Sequence, residues 1–87
     1  MPAGHQAVRL YRRDGCHLCD TAERDLATIA RELGFDVESI DIEADDALHH
    51  RYLFEIPVIA LGERELLRAP FSSQTLREAL TEALADS

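Results

Sequence analysis

The chain has 87 residues, 46% of them hydrophobic and 30% charged, and it carries a net charge of −8 at pH 7. This length and balance are typical of one small soluble globular domain over residues 1–87 and exclude a disordered tail. Nucleic acid and membrane surfaces are excluded as expected partners, because their negative charge repels this chain. No apolar run approaches the ~20 residues of a membrane span and no secretory signal opens the chain, which predicts a cytoplasmic protein.

The first predicted elements are a strand and a helix. Apolar and polar residues alternate in AVRLY, at positions 7–11, which is typical of a strand. From Cys16 to Leu33, apolar residues recur at three- and four-residue steps, which predicts a helix, and Gly34 stands where a left-handed cap would end it.

The middle of the chain predicts two further strands with a short helix between them. The second strand lies within FDVESIDIEAD, at positions 35–45. Its apolar phase changes at Ser39, which indicates a bulge or a strand that is covered on both faces. Asp45 or Asp46 can cap the short helix, and Pro57 begins the third strand.

The last predicted elements are a hairpin strand and a helix. Gly62 and Glu63 form a tight turn into RELLR, at positions 64–68, and Ser72 or Ser73 caps the final helix. The expected inward residues of that helix are Leu76, Ala79, Leu80, Ala83 and Leu84. A helix joins the first two strands, which makes them parallel, and a short turn makes the last two antiparallel. The sequence therefore predicts an α/β domain of order βαβαββα, a mixed four-stranded sheet flanked by helices.

The only two cysteines, Cys16 and Cys19, lie at the start of the first predicted helix. Residues three apart on a helix have Cα atoms about 5 Å apart, inside the ~4.4–6.8 Å range of a disulfide. A reducing compartment disfavours a permanent bridge, and a bridge across so short a gap restricts the unfolded chain very little. The pair therefore favours reversible redox chemistry, although a CxxC also occurs in zinc sites and copper carriers.

The two cysteines are expected to have different roles. Unpaired N–H groups and the positive end of the helix dipole favour a thiolate on Cys16, which is the predicted nucleophile. Cys19, one turn further along the apolar stripe, is the predicted buried resolving thiol. Asp14 and Asp20 oppose the ionisation of Cys16 because they are negatively charged.

Residues on either side of Cys16 are candidates for substrate binding. His17 either favours the Cys16 thiolate when protonated or points into solvent. Arg12 and Arg13 either attract an anionic substrate, such as the carboxylates of glutathione, or are ordinary surface charge. Leu18 is either exposed at the mouth of the site or packed along the helix.

Two segments, LYRRDGCHLCD and EIPVIALGE, together resemble the glutaredoxin branch of the thioredoxin-like superfamily. The resemblance in form is to small bacterial glutaredoxin-like proteins with no assigned physiological role, and it covers nearly the whole chain. It implies a thioredoxin-like fold and a disulfide reductase without a bound cofactor. It also implies a cis Pro57 facing the CxxC, with the Ile56 backbone free to pair with an extended substrate. The implied partners are a protein or small-molecule disulfide and a thiol reductant, either glutathione or a thioredoxin system.

The chain departs from glutathione-dependent glutaredoxins at three places. It reads CHLC rather than CPYC or CGFS, Glu55–Ile56 rather than threonine-valine before the proline, and RAPFSSQ rather than Gly-Gly and acids before the last helix. Ser72 and Ser73 either offer hydroxyl and helix-start N–H groups to a carboxylate or act only as a cap. Two reductants therefore remain open for this chain: glutathione as a co-substrate, or a thioredoxin system.

The residues also leave two other functions open. A soft-metal carrier would bind Cu(I) through the CxxC thiolates. No zinc site is predicted, because His5, His17 and the pair His49–His50 lack the spacing of a finger or a ribbon. A redox-sensing binding module would meet a basic partner through an acidic run that is otherwise a solvated edge. The run contains Asp36, Glu38, Asp41, Glu43, Asp45 and Asp46.

Overall fold

The computed structural model describes residues 7–86 as four strands, three α-helices and one 3₁₀ turn. In chain order these are β1 (Val8–Arg12), α1 (His17–Leu33), β2 (Val37–Asp41), the 3₁₀ turn (Ile42–Ala44), α2 (Asp46–Tyr52), β3 (Val58–Leu61), β4 (Arg64–Arg68) and α3 (Ser73–Ala85). The predicted order βαβαββα is confirmed. Within residues 7–86, no helix combines the length and the apolar character needed to cross a membrane.

The four strands form one sheet in the order β2-β1-β3-β4. β1 and β2 are parallel, whereas β3 is antiparallel to both β1 and β4, so the predicted mixed sheet is confirmed. The end of β1 lies opposite the start of β3, which in turn lies opposite the end of β4. The loop after β1, the loop before β3 and the loop after β4 therefore meet at one end of the sheet.

Both ends of the helix α1 are capped. Cys16 is its N-cap, with extended backbone angles (φ −97°, ψ 104°), so the expectation that Cys16 lies within the first turn is corrected by one residue. Gly34 ends the helix in the left-handed region (φ 79°), as predicted, and its N–H donates to the Ala30 carbonyl at 2.8 Å. The buried face of α1 consists of Cys19, Ala22, Leu26 and Ile29.

The strand β2 differs from its prediction in length and in burial. Its register with β1 is continuous, so the predicted bulge at Ser39 is wrong. Only Ile40 is half-buried and the other side chains of β2 are exposed, so coverage of both faces is also wrong. The apolar phase changes because Ile42 belongs to the 3₁₀ turn, where its side chain is fully buried.

The two faces of the sheet carry separate hydrophobic clusters. Side chains alternate across a strand, so Leu10 of β1 faces one side and Tyr11 faces the other. The α1/α3 face, covered by α1 and α3, has a buried cluster of Val8, Leu10, Ala22, Leu26, Ile29, Ile59, Leu61, Leu76, Leu80 and Ala83. The α2 face, covered by α2 and the 3₁₀ turn, has a buried cluster of Tyr11, Ile42, Tyr52, Val58 and Ala60. Ala79 and Leu84, two predicted inward residues of α3, are only half-buried.

The edge strand β4 contains a β-bulge. Leu67 and Glu65 lie opposite neighbouring residues of β3, so Leu66 is an extra residue on β4. Leu66 and Leu67 both pack against the α1/α3 cluster. The extra residue places Glu65 and Arg68 together on the α2 face, where the Arg68 Nε donates to the Glu65 Oε2 at 2.8 Å.

Candidate active site

Cys16 and Cys19 form a disulfide at the N-terminus of α1, and their Cα atoms are 5.1 Å apart, as predicted from helix geometry. Cys19 has no exposed surface, whereas Cys16 is half-buried. The Cys19 backbone N–H donates to the Cys16 Sγ at 3.1 Å, in the manner of an N-cap bond. In the reduced form this N–H and the helix dipole favour negative charge on the Cys16 sulfur.

The loop before β3 brings Pro57 to the same end of the sheet. The Ile56–Pro57 bond is cis, as the resemblance implied, and Pro57 is buried. The Ile56 N–H donates to the Tyr52 carbonyl at 3.2 Å. The expectation that the Ile56 backbone is free is therefore wrong for its N–H group. The Ile56 carbonyl accepts no hydrogen bond within residues 7–86, and it is the group left to pair with an extended ligand.

A second cis proline, which the sequence reasoning did not anticipate, lies in the loop after β4. The Ala69–Pro70 bond is cis. The Ala69 N–H donates to the Pro57 carbonyl at 3.0 Å and to the Glu55 carbonyl at 3.3 Å. This shared donor ties the two proline loops together at the same end of the sheet.

A small cavity lies between the start of α1 and the two proline loops. Its volume is about 60 Å³, and it is lined by Leu18, Thr21, Ala22, Asp25, Pro57, Ala69, Pro70 and Phe71. Leu18, between the two cysteines in the chain, is therefore brought together with Pro57. Leu18 is also 56% exposed, so it is not packed along the helix, and its role in substrate binding stays a prediction.

Arg12 neutralises two carboxylates on the first turns of α1. Its Nη2 is 2.8 Å from the Asp20 Oδ1, and its Nη1 pairs with Glu23. The hydrogen bond to Asp20, with the charge of Glu23, raises the pKa of Arg12. Asp20 was expected to oppose the ionisation of Cys16, but its charge is already compensated by Arg12. No local sequence pattern indicates these pairs, because Arg12 belongs to β1 whereas Asp20 and Glu23 belong to α1.

The other candidates near Cys16 lie on the surface. His17 is exposed at the first position of α1. An Arg13 Nη2 lies 3.5 Å from a Glu43 carboxylate oxygen, and both side chains are about two-fifths exposed. The geometry leaves the predicted roles of His17 and Arg13 in substrate binding as predictions.

Ser72 and Ser73 lie apart from the small cavity. Ser72 is the N-cap of α3, and its Oγ accepts the Thr75 N–H at 3.0 Å. Ser73 begins α3 and lines a second cavity of about 320 Å³ between α1 and α3. Asp25 lines both cavities and so marks the point where they adjoin. Ser72 therefore acts as a cap, and a carboxylate-binding role for Ser73 stays a prediction.

A polar network on the α2 face reaches the loop before Pro57. The Tyr52 hydroxyl donates to Glu65 at 3.0 Å, and Arg68 donates to both Glu65 and Glu55 at 2.8 Å. Burial, together with the bond to Glu65, raises the pKa of Tyr52. The hydrogen bond from Arg68, together with that from Tyr52, lowers the pKa of Glu65. The network connects α2 and β4 to the residue that precedes Ile56.

Much of the acidic run has structural partners. Glu38 pairs with Arg9 at 3.3 Å and Glu43 pairs with Arg13. Asp41 caps the 3₁₀ turn and Asp45 caps α2. The run is thus largely explained by ion pairs and helix caps along one edge of the domain.

Within residues 7–86, no group of three or more His, Cys, Asp or Glu side chains is arranged to hold a metal ion. His5, one of the candidate ligands, lies outside the described residues.

Comparison with known sequences identifies a family. The model of the glutaredoxin-like domain (DUF836) matches residues 7–81. An uncharacterized protein from Mycobacterium tuberculosis (strain ATCC 25618 / H37Rv) is 33% identical over 63 residues, in a match that covers 67% of this chain and 65% of that protein. The match thus spans slightly less than two thirds of the length of this relative.

Solved structures with the same fold include thioredoxins and a glutaredoxin. The target protein XcR50 from X. campestris is 40% identical, with a TM-score of 0.74 over 87% of this chain and 97% of that chain. Thioredoxin 1 from Thermosipho africanus is 22% identical, with a TM-score of 0.70 over 92% of this chain and 96% of that one. Glutaredoxin from Brucella melitensis is also 22% identical, with a TM-score of 0.57 over 99% and 90%. The thioredoxin-like fold is therefore confirmed, and the chain belongs to the glutaredoxin-like domain (DUF836) family.

Proposed function

We propose that this chain is a thiol-disulfide oxidoreductase that reduces disulfides with the Cys16–Cys19 dithiol. The observation that carries the proposal is the unequal exposure of a disulfide at a helix N-terminus. Cys16 is half-buried at the N-cap, whereas Cys19 is fully buried one turn further on. A substrate can reach the first sulfur directly, and the second sulfur acts through the first.

The reaction is a pair of thiol-disulfide exchanges. The Cys16 thiolate attacks one sulfur of the substrate disulfide, and the other substrate sulfur leaves as a thiolate and takes up a proton. Cys19 then loses its proton and attacks the Cys16 Sγ, which releases the second substrate sulfur as a thiol. Two electrons pass from the dithiol to the substrate. The product disulfide needs little backbone movement, because the Cα atoms are 5.1 Å apart.

The surroundings of Cys16 support its role as the nucleophile. The Cys19 N–H is directed at its sulfur, and Arg12 compensates the nearby carboxylates of Asp20 and Glu23. Pro57 and the Ile56 carbonyl lie in the loop that would hold the substrate. No bound cofactor is required, since electrons come from a thiol reductant, either glutathione or a thioredoxin system. This cycle requires a reducing compartment, which for a bacterial protein is the cytoplasm.

Redox titration of the full chain with mass-spectrometric readout tests the proposal. In glutathione buffers and in buffers poised with a thioredoxin system, Cys16 and Cys19 should interconvert between dithiol and disulfide. Cys16→Ser should abolish disulfide reduction, whereas Cys19→Ser should accumulate mixed disulfides on Cys16. A chain that forms no reversible disulfide across this potential range would contradict the proposal.

A further inference from the structure

We infer that the substrate disulfide belongs to an extended polypeptide that has an apolar side chain and a positive charge near its cysteine, and that glutathione fits this site poorly. The inference rests on the proposed function and concerns its substrate class. It is argued from the small cavity between the start of α1 and the two proline loops, which we name the cysteine groove because Leu18, between the two cysteines in the chain, lines it. The groove is lined by Leu18, Thr21, Ala22, Asp25, Pro57, Ala69, Pro70 and Phe71.

The walls of the cysteine groove are mainly apolar. Apart from Thr21 and Asp25, every lining residue is aliphatic, aromatic or proline. The space in the groove is about 60 Å³. It suits one small apolar side chain, which a polypeptide can supply and glutathione lacks. The rest of a ligand must therefore lie along the surface.

Among residues 7–86, Asp25 is the one charged residue that lines the groove. Its carboxylate makes no hydrogen bond or ion pair with any of residues 7–86, and its side chain is half-buried on α1. A cationic group passing along the groove would meet this carboxylate at the junction with the second cavity. An anionic group there would be repelled, because Asp25 is negative and so is the chain as a whole.

Four arginines around the site are paired with carboxylates. Each pairs with at least one acid: Arg12 with Asp20 and Glu23, Arg13 with Glu43, Arg68 with Glu55 and Glu65, and Arg77, which lines the second cavity, with Glu32. Glutathione has two carboxylates and only one ammonium group. Its carboxylates would compete with these acids for the arginine N–H groups, whereas a basic peptide would not.

Two exposed apolar side chains belong to the segments that contribute to the groove. Leu18 is 56% exposed, and Phe54, two residues before Ile56 in the loop that contributes Pro57, is 92% exposed. These side chains and the Ile56 carbonyl suit an extended polypeptide. Its main chain would pair with the carbonyl, and its side chains would contact Leu18 and Phe54. The chemical step is unchanged: the peptide disulfide is reduced to two thiols as the Cys16–Cys19 dithiol is oxidised.

The experiment measures the rate at which the reduced full chain cleaves three disulfides. Two are disulfide-linked peptide dimers of equal length with Leu beside the cysteine, one carrying two Arg residues and the other two Glu residues. The third is glutathione disulfide. The Arg peptide should react about five- to tenfold faster than the Glu peptide at low salt, and the ratio should shrink at high salt. Glutathione disulfide should be the slowest of the three.

Matched variants assign the preference to the groove. Asp25→Asn should bring the two peptide rates to within about twofold of each other, whereas Asp46→Asn, an equal charge change on α2, should retain the wild-type ratio. Leu18→Ser and Phe54→Ser should each slow both peptides several-fold, whereas Leu33→Ser at the far end of α1 should not. Alkylation of Cys16 by neutral iodoacetamide should be similar in all variants, which separates substrate docking from thiol reactivity.

Each contrary result has a distinct meaning. Failure to cleave any of the three disulfides overturns the proposed function itself. Cleavage of glutathione disulfide as fast as the Arg peptide, or an Arg preference that survives Asp25→Asn, overturns the inference and leaves the oxidoreductase standing. Sedimentation supplies a further contrary result. If the chain is a dimer that Leu18→Ser or Phe54→Ser converts to a monomer, the inference is overturned, because a second copy of the chain then covers these two side chains.

Discussion

The two faces of the sheet are held by different kinds of interaction. The α1/α3 face buries aliphatic side chains, and Leu10, Leu26 and Leu76 have no exposed surface. The α2 face buries a smaller cluster, in which the rings of Tyr11 and Tyr52 lie 4.7 Å apart, and adds a network of directional polar bonds. Apolar burial is thus concentrated on the face that is covered by α1, which carries Cys19. The polar bonds of the α2 face reach Glu55, in the loop before Pro57. The α1/α3 face therefore contributes more of the apolar burial, and the α2 face also holds the loop before Pro57 through Glu55.

The largest effect is expected from shortening a leucine on the α1/α3 face. Leu26→Ala should lower the free energy of unfolding by about 2–5 kcal/mol, because it leaves a cavity among fully buried side chains. Leu48→Ala, the same change at a half-buried position against the α2 cluster, should cost about 1–2 kcal/mol. Urea denaturation of both variants measures the difference. Equal losses would show that the faces do not differ as described.

The next effect is expected at Arg12, the polar tie between the end of β1 and α1. Arg12→Met should lower the free energy of unfolding by about 1–2 kcal/mol, because Asp20 and Glu23 lose their shared cation. It should also slow alkylation of Cys16 near neutral pH, since two uncompensated carboxylates oppose the thiolate. Arg9→Met, which breaks the Glu38 pair on the other face of β1, is the control and should leave alkylation unchanged.

A smaller effect is expected from the hydroxyl that links Tyr52 to Glu65. Tyr52→Phe should cost about 1 kcal/mol near neutral pH, because one hydrogen bond to a carboxylate is lost. Since the pKa of Tyr52 is raised in the folded state, its hydroxyl stabilises the fold below the unfolded value of ~10, and this contribution disappears as the pH rises through the raised value. The difference between wild type and variant should therefore narrow in alkaline urea titrations. A difference that stays constant with pH would argue against this coupling.

The smallest effect is expected at Glu65, whose partners are partly exposed. Glu65→Gln should cost less than about 1 kcal/mol near neutral pH, because solvent screens the ion pairs. The pKa of Glu65 is lowered in the folded state, so its carboxylate stabilises the fold above the unfolded value of ~4.3 and stops doing so as the pH falls through the lowered value. Acid denaturation should accordingly be less steep in the variant. If acid denaturation is equally steep in the variant and the wild type, the Glu65 carboxylate does not contribute to stability against acid.

Local patterns in the sequence predicted much of the fold. The apolar periodicity from Cys16 to Gly34 is nearly that of the observed α1, and helix geometry alone anticipated the Cα spacing of the cysteine pair. These features depend on residues close together in the chain. The burial of Cys19 follows from the same stripe.

The remaining features of the site depend on contacts between distant segments. The pairing of Arg12 with α1, the second cis bond before Pro70 and the position of Asp25 against the proline loops have no local signature. The first depends on how the end of β1 lies against α1, and the other two depend on the loop after β4. The error at Ser39 has the same origin, because whether an edge strand is covered depends on what packs over it.

The extra residue at Leu66 also bears on how the sheet meets other molecules. An edge strand exposes unpaired N–H and C=O groups that can add a strand from another copy, which is the first step of aggregation. A bulge interrupts the regular spacing of these groups, and β4 begins and ends with the exposed charges of Arg64 and Arg68. At the opposite edge, β2 exposes the acidic residues Glu38 and Asp41. Both edges of the sheet thus disfavour stacking into fibres, while the disulfide end remains accessible.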